Sequence, residues 1–130
     1  MKKHKLNLDL LPERFAIARF DPEADLPEWA RASAFVSVTR TRQELSIVCP
    51  ESLLPPSLEA ERGLRCLGVQ GPLQFSEIGI LASLTGVLAE TEISVFSIST
   101  YDTDYLLLAD KDLDRAVRAL TDAGHVIATD

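Results

Sequence analysis

The sequence predicts an α+β fold in which two helices cover one face of a β-sheet, and three observations support this. From Leu64 onward the predicted elements follow the order strand, helix, strand, strand, helix, strand. Both predicted helices carry apolar residues at spacings of three and four, the period of one buried helix face. Two strands follow each other without an intervening helix, which weighs against a doubly wound sheet. The order βαββαβ therefore predicts a ferredoxin-like sandwich with two crossover connections.

The first half of the chain is predicted to consist of strands with little helix. Leu6, Leu8 and Leu10 alternate with polar residues, which is the period-two pattern of a half-buried strand. Residues 15–20 form the next predicted strand, and we expect the two strands to pair as a hairpin. The remaining predicted elements of this half are a short helix at residues 25–30, with Trp29 anchored in the core, and a hairpin of strands at residues 34–38 and 45–49 with a charged tip.

A linker is predicted between the two halves of the chain. Pro50, Pro55 and Pro56 interrupt the segment after the second hairpin, and the polar run 57–63 follows them. We place the boundary near Arg62. The sequence thus predicts an N-terminal unit of residues 1–62 and a C-terminal unit of residues 63–130.

The second half contains the clearest periodicity. Gly79 and Gly86 each cost about 1 kcal/mol of helix propensity relative to alanine, so we interpret them as positions where backbone or ligand approaches closely. A second helix after Asp110 is predicted to end at Gly124. The first helix is predicted over residues 76–90, with Ile80, Leu81, Leu84, Val87 and Leu88 on its buried face, and the strands around the helices over residues 64–69, 93–99, 105–109 and 126–128.

Length and composition exclude several classes of function. The 130 residues can bury a core without disulfides, and Cys49 and Cys66 are expected to be buried, reduced thiols. The formal net charge of −7 argues against a nucleic-acid partner, because such binding needs Lys and Arg to neutralise phosphates. The basic N-terminal cluster lacks the apolar core of a signal peptide, and no run reaches the ~20 apolar residues of a membrane span. We therefore expect a cytoplasmic protein without a membrane partner.

Motifs that carry chemistry are also missing from the sequence. There is no phosphate-binding loop of the G-x-x-x-x-G-K type, no cluster with metal-ligand spacing and no nucleophile elbow. His4 is expected to be solvated, and His125 is expected to be a half-buried histidine of the last strand. The sequence accordingly predicts no catalytic residue, no metal and no cofactor.

A turn rich in hydroxyl and carboxylate groups, residues 97–104, is the candidate site. The start of the helix before it offers unpaired backbone N–H groups and the positive end of the helix dipole, which suit a carboxylate. Acidic side chains could face an ammonium or guanidinium group, and no Lys or Arg occurs between Gly71 and Asp110. A simpler interpretation is that Asp102 and Thr103 only shape the turn. The predicted ligand-binding residues are Ser76, Glu77, Ile78, Gly79, Ile80, Ser97, Ser99, Thr100, Asp102 and Asp104.

This segment resembles the ACT domain proteins. The tripeptide Ile-Ser-Thr at residues 98–100 and the Glu-x-Gly-Ile run at residues 77–80 are similar to small bacterial ACT-like proteins related to aspartate kinase regulatory domains and to the cytosolic arginine sensor of animal cells. The resemblance implies tandem ACT units with a degenerate N-terminal member. It also implies a non-catalytic regulatory module that binds a small metabolite, usually an amino acid, at the junction of ACT units. Glu77 and Asp104 are the ligand contacts that the resemblance favours most.

Two other functions stay open at this point. One is a protein-interaction module without a ligand, and the other is a small enzyme in which Glu77 and Asp104 do acid–base work. A binding module predicts stabilisation by a metabolite, an enzyme predicts turnover, and an interaction module predicts neither. We also expect the two units to pack together, a regulated protein partner, and a homodimer. The homodimer is expected because residues 93–100 carry no charge and lie at an edge of the predicted sheet.

Overall fold

The structure of the protein is a computed structural model that describes residues 4–73 and 78–129. In chain order its strands and helices are β1 (Asn7–Leu10), β2 (Phe15–Phe20), β3 (Ser37–Arg40), β4 (Leu45–Pro50), β5 (Ala60–Val69), α1 (Ile80–Glu90), β6 (Phe96–Ser99), β7 (Asp104–Ala109), α2 (Leu113–Asp122) and β8 (Val126–Ala128). Short 3-10 turns lie at Glu28–Arg31, Glu51–Leu53 and Asp110–Asp112.

The chain divides into two compact units. The N-terminal unit comprises Glu13–Leu64, and the C-terminal unit combines the residues up to Pro12 with those from Arg65 onward. The predicted boundary lies between residues 62 and 63 and assigns the N-terminal segment to the N-terminal unit. The structure instead assigns the residues up to Pro12 to the C-terminal unit. That segment belongs to the C-terminal unit because β1 forms its hydrogen bonds with strands of that unit, far away in sequence.

The C-terminal unit is a βαββαβ sandwich with one additional strand inserted into its sheet. Its strand order is β6-β7-β5-β1-β8, so β1 lies between the first and last strands of the ferredoxin-like pattern. β1 is antiparallel to β5 and parallel to β8, with Leu8 opposite both Val69 and Ile127. The predicted hairpin of β1 and β2 is wrong, because β1 pairs with β5 and β8 instead.

The helices of this unit pack through the apolar faces that the sequence predicts. α1 buries Ile80, Leu84 and Leu88, and α2 buries Ala116 and Leu120. They meet buried leucines of β1, β5 and β7 in one core, and each fully buried leucine contributes roughly 1.5–3 kcal/mol. This core fixes the position of α1 relative to the strands. Among the described residues, no helix combines the length and apolar character that crossing a membrane requires.

The N-terminal unit has the strand order of a ferredoxin-like sheet, although residues 13–64 contain no α-helix. Its strands are arranged β3-β4-β2-β5, and neighbouring strands are antiparallel. β2 and β3 are therefore parallel and separated by β4, as in a split βαβ unit. The turns at Glu28–Arg31 and Glu51–Leu53 occupy the chain positions of the two missing helices. The helix predicted at residues 25–30 is thus only a 3-10 turn, which makes this unit a reduced version of the other.

The core of the N-terminal unit is built on one face of this sheet. Trp29 packs against the core, with its ring centroid 6.3 Å from that of Phe20, as the sequence predicts. Burial raises the pKa of the Cys49 thiol above its ordinary value, and the nearby charge of Arg62 opposes that rise. Cys49 and Cys66 are both buried and form no disulfide bond within the described residues, as expected. The buried residues of this core are Ala16, Ala18, Ala30, Leu45, Ile47, Cys49 and Leu54.

Strand β5 overlaps the predicted linker at residues 57–63, so the linker prediction is wrong. The first part of β5 pairs with β2, where Leu64 lies opposite Phe15. Glu61 and Arg62 belong to the strand but are exposed. Their polar side chains give the strand the composition of a solvated segment, which is why the sequence pattern conceals it.

Candidate ligand-binding site

The turn between β6 and β7 is closed by two threonines. The backbone N–H of Thr100 donates to the carbonyl of Thr103 at 2.8 Å. The N–H of Thr103 donates to Oγ1 of Thr100 at 3.2 Å, and that hydroxyl donates to the carbonyl of Thr103 at 3.1 Å. The turn is therefore shaped by hydroxyl groups. Tyr101 and Asp102 remain exposed at its tip.

The same turn is attached to the loop that follows β5. The N–H of Leu73 donates to the carbonyl of Asp102 at 2.7 Å, and Oγ1 of Thr103 donates to the carbonyl of Val69 at 2.6 Å. A Cβ added at Gly71 would lie 3.0 Å from the carbonyl oxygen of Asp102, so the close approach of the two segments requires glycine there. The loop leading towards α1 and the β6–β7 turn thus form one structural feature.

A carboxylate lies where this turn enters β7. Asp104 is directly opposite Ser99 in the β6–β7 pair, and Oγ of Ser99 donates to Oδ1 of Asp104 at 2.6 Å. Leu106, opposite Ser97, is fully buried in the core that contains α1. Because side chains alternate along strands, Ser97, Ser99 and Asp104 share the face of the sheet that carries the helices. The Asp104 carboxylate is therefore on the same side of the sheet as α1.

The start of α1 is built around Gly79, which has a φ of 83° and precedes the first helical residue. Glycine has no side chain with which to cap the first N–H groups of the helix, and those groups make the helix start a favourable place for an anion. The carbonyl of Gly79 accepts the N–H of Ser83 at 2.9 Å and its hydroxyl at 2.7 Å. These bonds hold Gly79 against the first turn of α1.

The outcome for the predicted ligand-binding residues is mixed. Ser76 and Glu77 lie outside the described residues. The side chain of Ile80 is buried in the core with 6% exposure, so its backbone alone can meet a ligand, whereas Ile78 is 81% exposed. Four residues lie between Leu73 and Ile78, so five Cα-to-Cα steps limit the distance between their Cα atoms to about 18 Å. The structure joins Ser99, Thr100, Asp102 and Asp104 in one turn that is bonded to the loop after β5.

Both histidines make contacts that the sequence does not indicate. Nε2 of His4 lies 2.7 Å from the carbonyl of Ile78 in an exposed hydrogen bond, a contact that the expectation of a solvated side chain did not include. His125 is buried rather than half-buried, and its two ring nitrogens contact Leu6 and Ser83. No local spacing reveals these contacts, because His4 and Ile78 are 74 positions apart in the sequence and His125 and Ser83 are 42 positions apart.

Comparisons with family models divide the chain much as the fold does. Residues 59–122 match the model of the ACT domain. Residues 13–57 match a second model, which describes an N-terminal domain. No curated protein matches the sequence.

Solved structures with similar folds cover nearly the whole chain. A protein from Agobacterium tumefaciens is 36% identical, with a TM-score of 0.92 over 98% of this chain and 95% of its own. A protein of unknown function from Vibrio cholerae, described as a possible transport protein, is 16% identical, with a TM-score of 0.75 over 92% and 91% of the two chains. The regulatory subunit of aspartate kinase from Thermus thermophilus is 14% identical, with a TM-score of 0.59 over 89% and 96%.

Proposed function

This chain belongs to the ACT domain proteins, and we propose that it is a non-catalytic regulatory module that binds a free α-amino acid. The observation that carries the proposal is the attachment of the β6–β7 turn to the loop after β5, through the N–H of Leu73 and Oγ1 of Thr103. These bonds hold a turn that bears carboxylates against the segment that leads into α1. A ligand with one negative and one positive group is suited to such a site.

An α-amino acid has a carboxylate and an ammonium group, and the site offers a partner for each. The first N–H groups of α1 and the positive end of its dipole favour the ligand carboxylate. The carboxylates of Asp102 and Asp104 favour the ammonium group through charge-assisted hydrogen bonds. No Lys or Arg occurs between Gly71 and Asp110. We therefore propose a preference for cationic amino acids, whose second positive group also gains from this negative segment.

A regulatory module acts on a partner, and one structural relative indicates what kind of partner. The Thermus thermophilus relative is the regulatory subunit of an aspartate kinase. By analogy, ligand binding to this chain would change its association with a regulated protein. At 14% identity the likeness extends to the fold alone, so experiment has to identify that protein.

We further propose that two copies of the chain pair along β6. This strand ends the order β6-β7-β5-β1-β8 of the C-terminal unit, and it contains no charged residue. Phe96 at its start is 40% exposed, and Tyr101 in the following turn is 84% exposed. An uncharged edge strand with exposed apolar side chains favours pairing with another strand. Such a dimer would place the candidate site beside a junction of ACT units from two copies.

A thermal-shift series with free amino acids tests the proposed ligand. Ligand at one hundred times its Kd stabilises the fold by about 2.7 kcal/mol, which corresponds to a rise in Tm of roughly 5–10 °C. We expect arginine and lysine to raise the Tm and leucine to leave it unchanged. Asp104→Ala should abolish the response, because it removes the carboxylate that meets the positive group of the ligand.

Asp122→Ala is the matched control, since Asp122 is an exposed carboxylate at the end of α2. This variant should respond to arginine like the parent protein. The proposal is wrong if no amino acid at millimolar concentration raises the Tm, or if Asp104→Ala responds like the parent. The first result would favour an interaction module without a ligand, and consumption of the amino acid would favour an enzyme.

A further inference from the structure

Strand β3 forms the outer edge of the N-terminal unit, where β4 is its one neighbour among the described strands. The backbone N–H of Thr41 donates to the carbonyl of Glu44 at 2.9 Å in the turn that follows β3. This pair continues the register in which Arg40 lies opposite Leu45. Hydrogen-bonded and non-hydrogen-bonded pairs alternate along an antiparallel ladder, so the N–H and C=O groups of Val38 and Arg40 point away from β4.

The side chains of the same two residues lie on the core face of the sheet. Val38 is opposite Ile47 and Arg40 is opposite Leu45, and both of these partners are fully buried in the core of the unit. Val38 is nevertheless 43% exposed, and Val36, just before the strand, is 37% exposed. This unit has 3-10 turns where the C-terminal unit has α-helices. Its edge therefore presents apolar side chains beside unpaired backbone groups.

Positive charge is concentrated along this stretch of the chain. Residues 29–43 contain three arginines and no aspartate or glutamate, although the whole chain has a formal net charge of −7. Arg40 is the last residue of β3, and its Nη1 donates to the backbone carbonyl of Pro22. A carbonyl is a neutral partner, so this bond leaves the charge of the guanidinium uncompensated. The end of β3 is thus suited to a negatively charged group.

An open groove at the same end of β3 limits how much negative charge a partner can carry. It is lined by Arg42 from the turn after β3 and by Asp21 and Glu23 from the turn after β2. The two carboxylates would repel acidic residues placed inside the groove. The edge therefore fits a segment with one carboxylate facing Arg40, whereas a continuous acidic run fits it poorly.

We propose that β3 is a docking edge for an extended segment of a partner protein, in which one carboxylate and one apolar side chain lie two positions apart. Such a segment would add an antiparallel strand to the N-terminal sheet. Its backbone would pair with the outward groups of Val38 and Arg40, its apolar residue would pack on Val38, and its carboxylate would lie opposite Arg40. The proposal goes beyond the amino-acid ligand of the C-terminal unit and does not depend on it.

A second copy of the chain would fit this edge less well. If two β3 strands paired about Val38, the antiparallel register would place Arg40 of each copy opposite Val36 of the other. Each guanidinium would then face an apolar side chain. A partner carboxylate in that place forms an opposite-charge pair across the strands, which stabilises the pairing. The charge of Arg40 thus favours a partner segment over self-association.

Two short peptides, whose binding to the full chain is measured by fluorescence anisotropy, test the proposal. The first contains Asp-Thr-Val-Thr-Val between flanking serines, and the second has lysine in place of the aspartate. We expect the first to bind at least about fivefold more tightly, because the exchange turns an attractive cross-strand pair into a repulsive one. The net charge of −7 would by itself favour the lysine peptide, so nonspecific attraction cannot produce the expected order.

A charge reversal at Arg40 tests the assigned contact. Arg40→Glu should bind the lysine peptide more tightly than the aspartate peptide. Arg19→Glu is the matched control, because it changes the net charge equally and Arg19 is an exposed residue of the same sheet. The guanidinium of Arg19 also donates to a backbone carbonyl, that of Gln43 at 2.9 Å. This control should keep the order of the parent, and the two peptides on the parent decide the proposal even if Arg40→Glu does not fold.

Amide hydrogen exchange locates the added strand. With the aspartate peptide bound, the amides of Val38 and Arg40 should gain protection, while those of Ser37 and Thr39, which face β4, should change little. Equal binding of the two peptides by the parent, or unchanged amides of Val38 and Arg40, would overturn the proposal. Protection of these two amides that rises with protein concentration in the absence of peptide would show that a second copy occupies the edge, which would also overturn it.

Discussion

Two glycines of the C-terminal unit, Gly71 and Gly86, differ in how closely other atoms approach the position of an added Cβ. Gly71 allows the loop after β5 to approach the β6–β7 turn, because an added Cβ would meet the carbonyl oxygen of Asp102 at 3.0 Å. Gly86 lies in the middle of α1, where an added Cβ would meet no atom of the described residues within 4 Å. The interpretation of Gly86 as a position where backbone approaches closely is therefore wrong among the described residues, whereas the approach of a ligand stays a prediction.

Alanine at these two positions should change stability in opposite directions. Gly86→Ala should raise the free energy of unfolding by about 0.5–1 kcal/mol, because alanine is the better helix former and its methyl group meets open space. Gly71→Ala should lower it by about 1–3 kcal/mol, because the backbone of the site must shift. Urea denaturation at low protein concentration measures both. A destabilising Gly86→Ala would mean that another surface covers this part of α1.

Residues of the candidate site could be predicted only where they lie close together in the sequence. Ser99 and Asp104 stand out in a short turn rich in hydroxyl and carboxylate groups, and the structure joins them directly. The bond from Thr103 to Val69 spans 34 residues, and the bond from Leu6 to His125 spans 119. Pairs so far apart leave no mark in a single sequence, because the fold alone brings them together.

The helices and most strands of the C-terminal unit could be predicted from the sequence. For β1, the strand itself could be predicted but its pairing partners could not. The apolar period of α1 and α2 fixes their buried faces, which the structure confirms. The alternation of Leu6, Leu8 and Leu10 identifies a strand but gives no information about its neighbours. Since β1 pairs with β5 on one side and β8 on the other, its partners follow from the completed sheet rather than from the order of the chain.

The edge strand β6 supplies the prediction at this scale. If two copies pair along β6, a lysine in place of Phe96 should oppose their association, because a charge at a strand edge blocks pairing. We expect Phe96→Lys to give the mass of a monomer by light scattering, at concentrations where the parent gives that of a dimer. Val126→Lys is the control, since Val126 is a 60% exposed apolar residue on β8, at the opposite edge of the same sheet. A parent that stays monomeric at every concentration would rule out the dimer.

At the scale of the whole molecule, the chain contains one strand order twice, with and without α-helices. The C-terminal unit has full helices, whereas 3-10 turns stand in their place in the N-terminal unit. The sequence indicates this reduction, because the first half lacks long apolar stripes of helical period. It could not indicate that the N-terminal strand belongs to the C-terminal unit, or that β5 begins at Ala60 within an apparent linker. Exposed charges on a strand resemble those of a loop.

A resonance titration of the labelled protein with free arginine tests the central claim most directly. Binding at the proposed site should shift the backbone amides of Gly71, Leu73, Gly79 and residues 100–104, with smaller changes elsewhere. The N-terminal unit provides an internal reference, because it has its own open groove beside Asp21 and Thr41. Saturable shifts confined to the proposed segments would support amino-acid binding by the C-terminal unit. Shifts centred on the groove of the N-terminal unit, or none at millimolar arginine, would contradict the proposed site.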